Sequence, residues 1–102
     1  MKQLRDEDKI ITQVKHIHMI GIGGSGMCPL AEILHGKGYI LTGSDNNVSD
    51  PLTRIKNLGI KVYMGHRAEN IKGAELVVYS AAIAADNPEL CAAREQGIPT
   101  ME

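Results

Sequence analysis

The sequence predicts a doubly wound α/β domain: a parallel five-stranded sheet of order 3-2-1-4-5 with helices on both faces. Three observations lead there. Short β-rich runs alternate with segments of helical period, and strands joined through helices pair in parallel. A glycine-rich turn, GIGGSG, links the first strand to the first helix. Glycine closes each of the three longer helical segments before the next strand begins. Right-handed crossovers then wind the sheet to both sides of its first strand, which makes the expected architecture Rossmann-like.

The elements follow in order. Residues 1–14 are polar and weakly patterned and read as a leader, a frayed helix or an extended arm, ahead of a domain over residues 15–102. KHIHMIG is the first strand; His16 and His18 alternate along it, so one of them faces a helix. Over residues 27–37, Met27, Leu30, Ala31 and Leu34 recur at helical spacing with Ile33 beside them. Pro29 falls in the first turn, where its missing N–H costs little, and Gly36 and Gly38 end the helix. YILTG is the second strand, and SDNNVSD is a loop of turn formers. Asp50-Pro51 reads as an N-cap and first helical position, followed by an apolar stripe of Leu52, Ile55 and Leu58 and a stop at Gly59. IKVYMG is the third strand, AENIKG a short helical segment and ELVVYS the fourth strand. Asn87-Pro88 opens PELCAAREQ, closed by Gly97; its charged residues Glu89, Arg94 and Glu95 read as a solvated face. IPTM begins the fifth strand.

Composition narrows the function classes. The chain has 102 residues, 43% of them hydrophobic, with three Tyr and no Phe or Trp, so one aliphatic core is expected. A net charge of −1 and the lack of any dense Lys/Arg run argue against a nucleic-acid face. No apolar run approaches the roughly 18 residues of a membrane span, and MKQLRDEDK leads into no apolar signal-peptide core. Cys28 and Cys91 have no metal-ligand spacing and read as reduced packing residues, in keeping with a cytoplasmic protein. The four histidines form no metal triad, and no nucleophile lies near a base; neither a metal site nor a catalytic residue is expected in this chain.

In a doubly wound sheet the ligand lies beyond the carboxyl ends of the strands, near the switch point between strands 1 and 4. Gly21, Gly23 and Gly26 form G-x-G-x-x-G with Gly24 inside, and the loop opens a helix near Ser25. Free N–H groups and partial positive charge at a helix start suit a pyrophosphate, and the Ser25 hydroxyl adds one more hydrogen bond. Asp45 follows strand 2, nineteen residues beyond Gly26. A carboxylate there accepts from two ribose hydroxyls, or else it caps its own turn. His66 after strand 3 has the chemistry to bond a base, sugar or phosphate, though a histidine in a turn is as readily a bystander. Ser80 after strand 4 has no base beside it, so its place favours binding over catalysis.

Four motifs in register carry a family resemblance. HMIGIGGSGMCPLAEIL, GYILTGSD, GIKVYMGH and VVYSAAIAADNPELCAAREQGIP together resemble the N-terminal part of the Mur ligases, from about His16 to Met101. The resemblance implies a Rossmann-like domain that binds the UDP part of UDP-N-acetylmuramic acid. The whole enzyme would use ATP and magnesium to form an acyl phosphate of the muramoyl carboxylate, which an amino acid then attacks; the pattern is most similar to the branch that adds L-alanine. On this reading Gly21, Gly23, Gly24, Ser25, Gly26 and Met27 hold the pyrophosphate. Asp45 and His66 contact the uridine, and Ser44 shapes that end. Ser80, Ala81 and Ile83 line the nucleotide-sugar side, with Asn87 as a further candidate.

One departure is large. The family's ATP loop, G-T-x-G-K-T, is absent, as is any G-K-[S/T]. The chain is therefore expected to be a substrate-binding portion of a longer enzyme, inactive alone, with its central ATPase and C-terminal domains as missing partners. A murein-peptide ligase, which attaches a tripeptide to the same nucleotide sugar, would present a similar domain. An NAD-dependent oxidoreductase shares the glycine loop and Asp45 but leaves GSD, GH and SAAI without a role. A nucleotide- or redox-sensing module is the non-enzymatic alternative.

Overall fold

The computed structural model describes residues 14–102. The polar leader expected over residues 1–14 thus lies, Val14 apart, outside the described residues. Five strands form one parallel sheet of order β3-β2-β1-β4-β5: β1 (His16–Ile20), β2 (Ile40–Asp45), β3 (Lys61–Met64), β4 (Leu76–Val78) and β5 (Thr100–Met101). The predicted order and direction are those observed. The helices are α1 (Met27–Gly36), α2 (Asp50–Asn57) and α3 (Pro88–Glu95), with a 3₁₀ turn at Ala68–Ile71.

Strand alternation divides the interior in two. Ile17, Met19, Leu41, Leu76 and Val78 pack with Met27, Ala31 and Leu34 of α1 and Leu52 and Ile55 of α2. On the opposite face Ile20 and Val77 pack with Ile71 of the 3₁₀ turn and Leu90 and Ala93 of α3. Each fully buried aliphatic side chain contributes about 1.5–3 kcal/mol. The central strands are buried on both faces, which is why they read as near-continuous apolar runs.

Local chemistry sets the helix ends. The α2 cap is Ser49, one residue before the expected Asp50. Ser49 has extended backbone (φ −153°, ψ 164°), and its Oγ accepts from Leu52 N at 3.3 Å. Asp50 instead occupies the first helical turn, where its charge suits the helix dipole. Leu58, expected on the apolar stripe, is the C-cap residue and is 40% exposed. At the start of α1 the cap is Gly26, which supplies no side-chain oxygen.

The crossing from β1 to α1 is held by backbone. Gly21 has φ +75°, a conformation that L side chains rarely adopt, and its N–H donates to Ser44 O at 2.7 Å. Ile22 N donates to the same carbonyl at 3.1 Å. This seats the fully buried Ile22 side chain on Gly43: a Cβ there would meet Ile22 atoms at 2.6–2.7 Å.

Both cysteines are free. Cys28 is buried, with Sγ 3.4 Å from Glu32 Oε1; burial first, and then that hydrogen bond, push its thiol up from the ordinary value. A maleimide is therefore expected to label the half-buried Cys91 well before Cys28 in the native protein, read by mass spectrometry. Equal labelling rates would contradict the buried, protonated Cys28.

Candidate nucleotide site

The candidate residues sit on the loops at the carboxyl ends of β1 to β4. In the glycine loop, Gly24 N donates to Gly21 O at 2.9 Å, and Met27 N and Cys28 N donate to Gly24 O at 3.1 and 2.9 Å. Those bonds turn the chain into α1. Among the described residues no acceptor pairs with the amides of Ser25 and Gly26, and both residues are exposed. Two free N–H donors at a helix start have the chemistry that suits an anion.

Asp45 joins the loop directly. Its Oδ2 accepts from Gly23 N at 2.9 Å and its Oδ1 from Asn47 N at 3.0 Å. The carboxylate thus caps its own turn, one of the two readings the sequence offered, and also clamps the glycine loop, a contact the sequence did not announce. It has four lone-pair sites and uses two within the chain, so acceptor capacity remains. A Cβ on Gly23 would stand 3.0 Å from Asp45 Oδ2 and press on the carboxylate that bonds its N–H.

Beside the loop runs a groove of about 670 Å³, within the size range of small-molecule sites. Gly24, Ser25 and Gly26 rim one side and Ser80, Ala81 and Ala82 the other, over an apolar floor that includes Leu76 and Val78. Met27 also lines it. The structure thus brings the loop after β1 and the loop after β4 to one depression.

The remaining candidates lie elsewhere. Ile83 is half-buried and packs on the α3-side core, its Cδ1 facing the α-carbon of Gly21. Asn87 is the N-cap of α3: its Oδ1 accepts from Glu89 N at 2.9 Å and Leu90 N at 3.3 Å. That capping role accounts for the residue without a ligand. Ser44 is fully buried, and its side chain bonds His66 and Glu89.

Glu89 requires a correction. Expected on a solvated face, it is fully buried. Its Oε1 accepts from His18 Nε2 and from Ser44 Oγ at 2.7 Å. Its Oε2 accepts from Arg67 N at 3.1 Å, Asn70 Nδ2 at 3.1 Å and His66 Nδ1 at 3.2 Å. Burial acts to raise its pKa, but the bonds from His18, Ser44 and Asn70 prevail and hold the carboxyl below the usual carboxylate range. The available signal was spacing: Glu89 stands three and four residues before Ala92 and Ala93, on the stripe that faces the sheet. Arg94 and Glu95 are exposed, as expected. His18 is the histidine that faces a helix, and its Nδ1 lies 2.8 Å from Thr42 Oγ1, which also bonds His16 Nε2 at 2.9 Å. Sequence reading also missed Asn70, whose Nδ2 reaches both Glu89 and Gly65 O.

Comparison with known proteins agrees with this fold. The profile described as "Mur ligase family, catalytic domain" matches residues 16–102. A UDP-N-acetylmuramate–L-alanine ligase of Legionella pneumophila (strain Corby) is 55% identical over 89 residues, which are 87% of this chain and 19% of that protein. One from Acidovorax sp. (strain JS42) is 52% identical over 86% of this chain and 18% of its own length. The chain spans about a fifth of the length of these curated relatives. Among solved structures, the UDP-N-acetylmuramate-alanine ligase of Thermotoga maritima superposes with TM-score 0.81 at 32% identity, covering 84% of this chain and 20% of that one. The UDP-N-acetylmuramate:L-alanyl-gamma-D-glutamyl-meso-diaminopimelate ligase of Neisseria meningitides superposes with TM-score 0.77 at 33% identity, covering 85% and 28%. Sheet, glycine loop and sequence match point the same way: the chain belongs to the Mur ligase family.

Proposed function

We propose that this chain binds the nucleotide part of UDP-N-acetylmuramic acid for a cytoplasmic ligase that joins L-alanine to that substrate in peptidoglycan precursor synthesis. The observation that carries the reading is the Asp45–Gly23 contact, which sets a carboxylate acceptor beside the free amides of Ser25 and Gly26. A nucleoside diphosphate carries both a ribose, which suits a carboxylate acceptor, and a pyrophosphate, which suits free N–H donors. Gly23, Gly24, Ser25, Gly26 and Met27 would hold the pyrophosphate, Asp45 and His66 the uridine side, and Ser80 and Ala81 the far wall of the groove. Ser44, Ile83 and Asn87 support these loops from within.

No helix of the described residues is long and apolar enough to cross a membrane, in keeping with the proposed cytoplasmic setting. ATP and magnesium, which the family resemblance implies for a whole enzyme, find no matching loop here because the sequence contains no G-K-[S/T]. No chemical step is therefore assigned to these residues; their work is to bind and orient.

Calorimetry with UDP and with NADH separates this reading from a redox one. UDP is expected to bind and NADH to fail to displace it; tighter binding of NADH would overturn the assignment. Gly24→Val tests the loop. A Cβ at Gly24 stands 3.2 Å from Gly21 O, and the valine methyls would project from an exposed rim into the path of the phosphate. UDP affinity is expected to fall by roughly tenfold or more, the loss of a charge-assisted hydrogen bond, with the circular dichroism spectrum unchanged.

A further inference from the structure

We propose that the buried Glu89 is a positioning residue that fixes the tautomer of His66, so that His66 Nε2 offers a lone pair to a hydroxyl or imide N–H of the bound nucleoside. The inference rests on the ligand reading above for its second half; its first half stands on the hydrogen bonds alone.

Those bonds can be assigned one by one. A carboxylate only accepts, and the Ser44 hydroxyl has one proton. That proton goes to Glu89 Oε1 at 2.7 Å, so Ser44 Oγ can only accept along its 3.0 Å contact with His66 Nδ1. The other neighbour of Nδ1 is Glu89 Oε2 at 3.2 Å, again an acceptor. Both groups facing Nδ1 accept, so Nδ1 carries the proton. In the neutral ring Nε2 is then the acceptor.

Nε2 is also the free nitrogen. It has no partner among the described residues, and no buried side-chain nitrogen or oxygen among them lacks one, so Nε2 is not fully enclosed. The His66 side chain is only 14% exposed, and His66 stands two residues past the carboxyl end of β3, at the edge where a doubly wound sheet takes its ligand. Arg67 N and Asn70 Nδ2 hold Glu89 Oε2 in place, so the acceptor facing the ring is itself fixed. This arrangement resembles the way a carboxylate behind a histidine fixes which ring nitrogen is presented outward.

Nitrogen-15 NMR of the imidazole side chains reads the tautomer without any ligand. At about pH 9, well above the ordinary imidazole range of about 6.5, wild-type His66 is expected to show a protonated Nδ1 and an unprotonated Nε2. A protonated Nε2 in the wild type would overturn the inference, whatever the variants do. Glu89→Leu removes the acceptor and frees the Ser44 hydroxyl to donate to Nδ1. His66 should then move to the Nε2-protonated form, and UDP affinity should fall roughly tenfold, the loss of one hydrogen bond. A purely structural role for Glu89 would lower the stability of a folded leucine variant and leave the tautomer where it was, which would contradict the inference. If the leucine variant does not fold, the wild-type spectrum decides. UDP that fails to bind the wild type overturns the ligand reading; UDP binding to a wild type with protonated Nε2 overturns the positioning role alone.

Discussion

Glu89→Ala is expected to destabilise the protein by about 3–5 kcal/mol, the loss seen when one partner of a buried charged network is removed. The variant keeps His18, Ser44, Asn70 and the Arg67 amide, and it leaves them around a void with no acceptor. Each buried donor left unmatched carries its own desolvation penalty. The defect also joins four elements, since the donors come from β1, β2, the loop after β3 and the 3₁₀ turn. Urea denaturation at neutral pH measures it; a shift under 1 kcal/mol would mean the network is not formed in solution.

The same carboxylate gives the stability a pH dependence of definite sign. In the unfolded chain Glu89 titrates at about 4.3; in the folded chain its value is lower. Its contribution is therefore fully present above the unfolded value and is lost as pH falls through the folded one. Glu75, whose carboxylate accepts from the backbone N–H of Lys15 and of His16, is lowered too and adds in the same direction. Acidification below about pH 4 should thus weaken the wild type steeply and Glu89→Ala less steeply, with the remaining slope partly that of Glu75.

Gly43→Ala is expected to cost about 1–3 kcal/mol or more, although it adds a single methyl. The methyl would overlap three atoms of Ile22 at 2.6–2.7 Å. Ile22 has nowhere to retreat: it is fully buried, and its amide and that of Gly21 are both tied to Ser44 O. Relief would have to lift the glycine loop off β2 or break the β1–β2 register, in which Gly43 stands opposite Met19. Thermal unfolding should show a fall of about 4–8 °C for each kcal/mol lost, and nucleotide affinity should fall with it because the loop is what moves. An unchanged melting temperature would show that this close approach is absent.

The frame of this fold was legible because each element carries a local signal. Asn87-Pro88 and Gly97 bracket α3, and the apolar periods of Ile17, Met19, Leu52 and Ile55 name their faces. The glycine loop was legible for the same reason, being contiguous. What escaped was held by contacts across the sheet. Nothing adjacent to Glu89 in sequence announces that His18 lies 71 residues away on the chain and in bond contact. A charged residue near a helix start reads as solvated unless its position on the helical stripe is weighed against its charge. Gly43 escaped likewise, because its need for glycine comes from Ile22 on the crossing above it. The Ser49 cap was missed by one residue, since Asp50 before Pro51 offers an equally good local signal.

The central claim is that the loop after β1 receives the pyrophosphate of a nucleotide sugar. It is tested most directly by titrating the nitrogen-15-labelled chain with UDP-N-acetylmuramic acid and following backbone amides. The amides of residues 23–27, Asp45 and His66 are expected to shift together and saturate at one ligand concentration, those of Ser25 and Gly26 most, because they are the free donors. If saturating ligand leaves these amides in place, or shifts only residues remote from the strand ends, the assignment of this cleft is wrong.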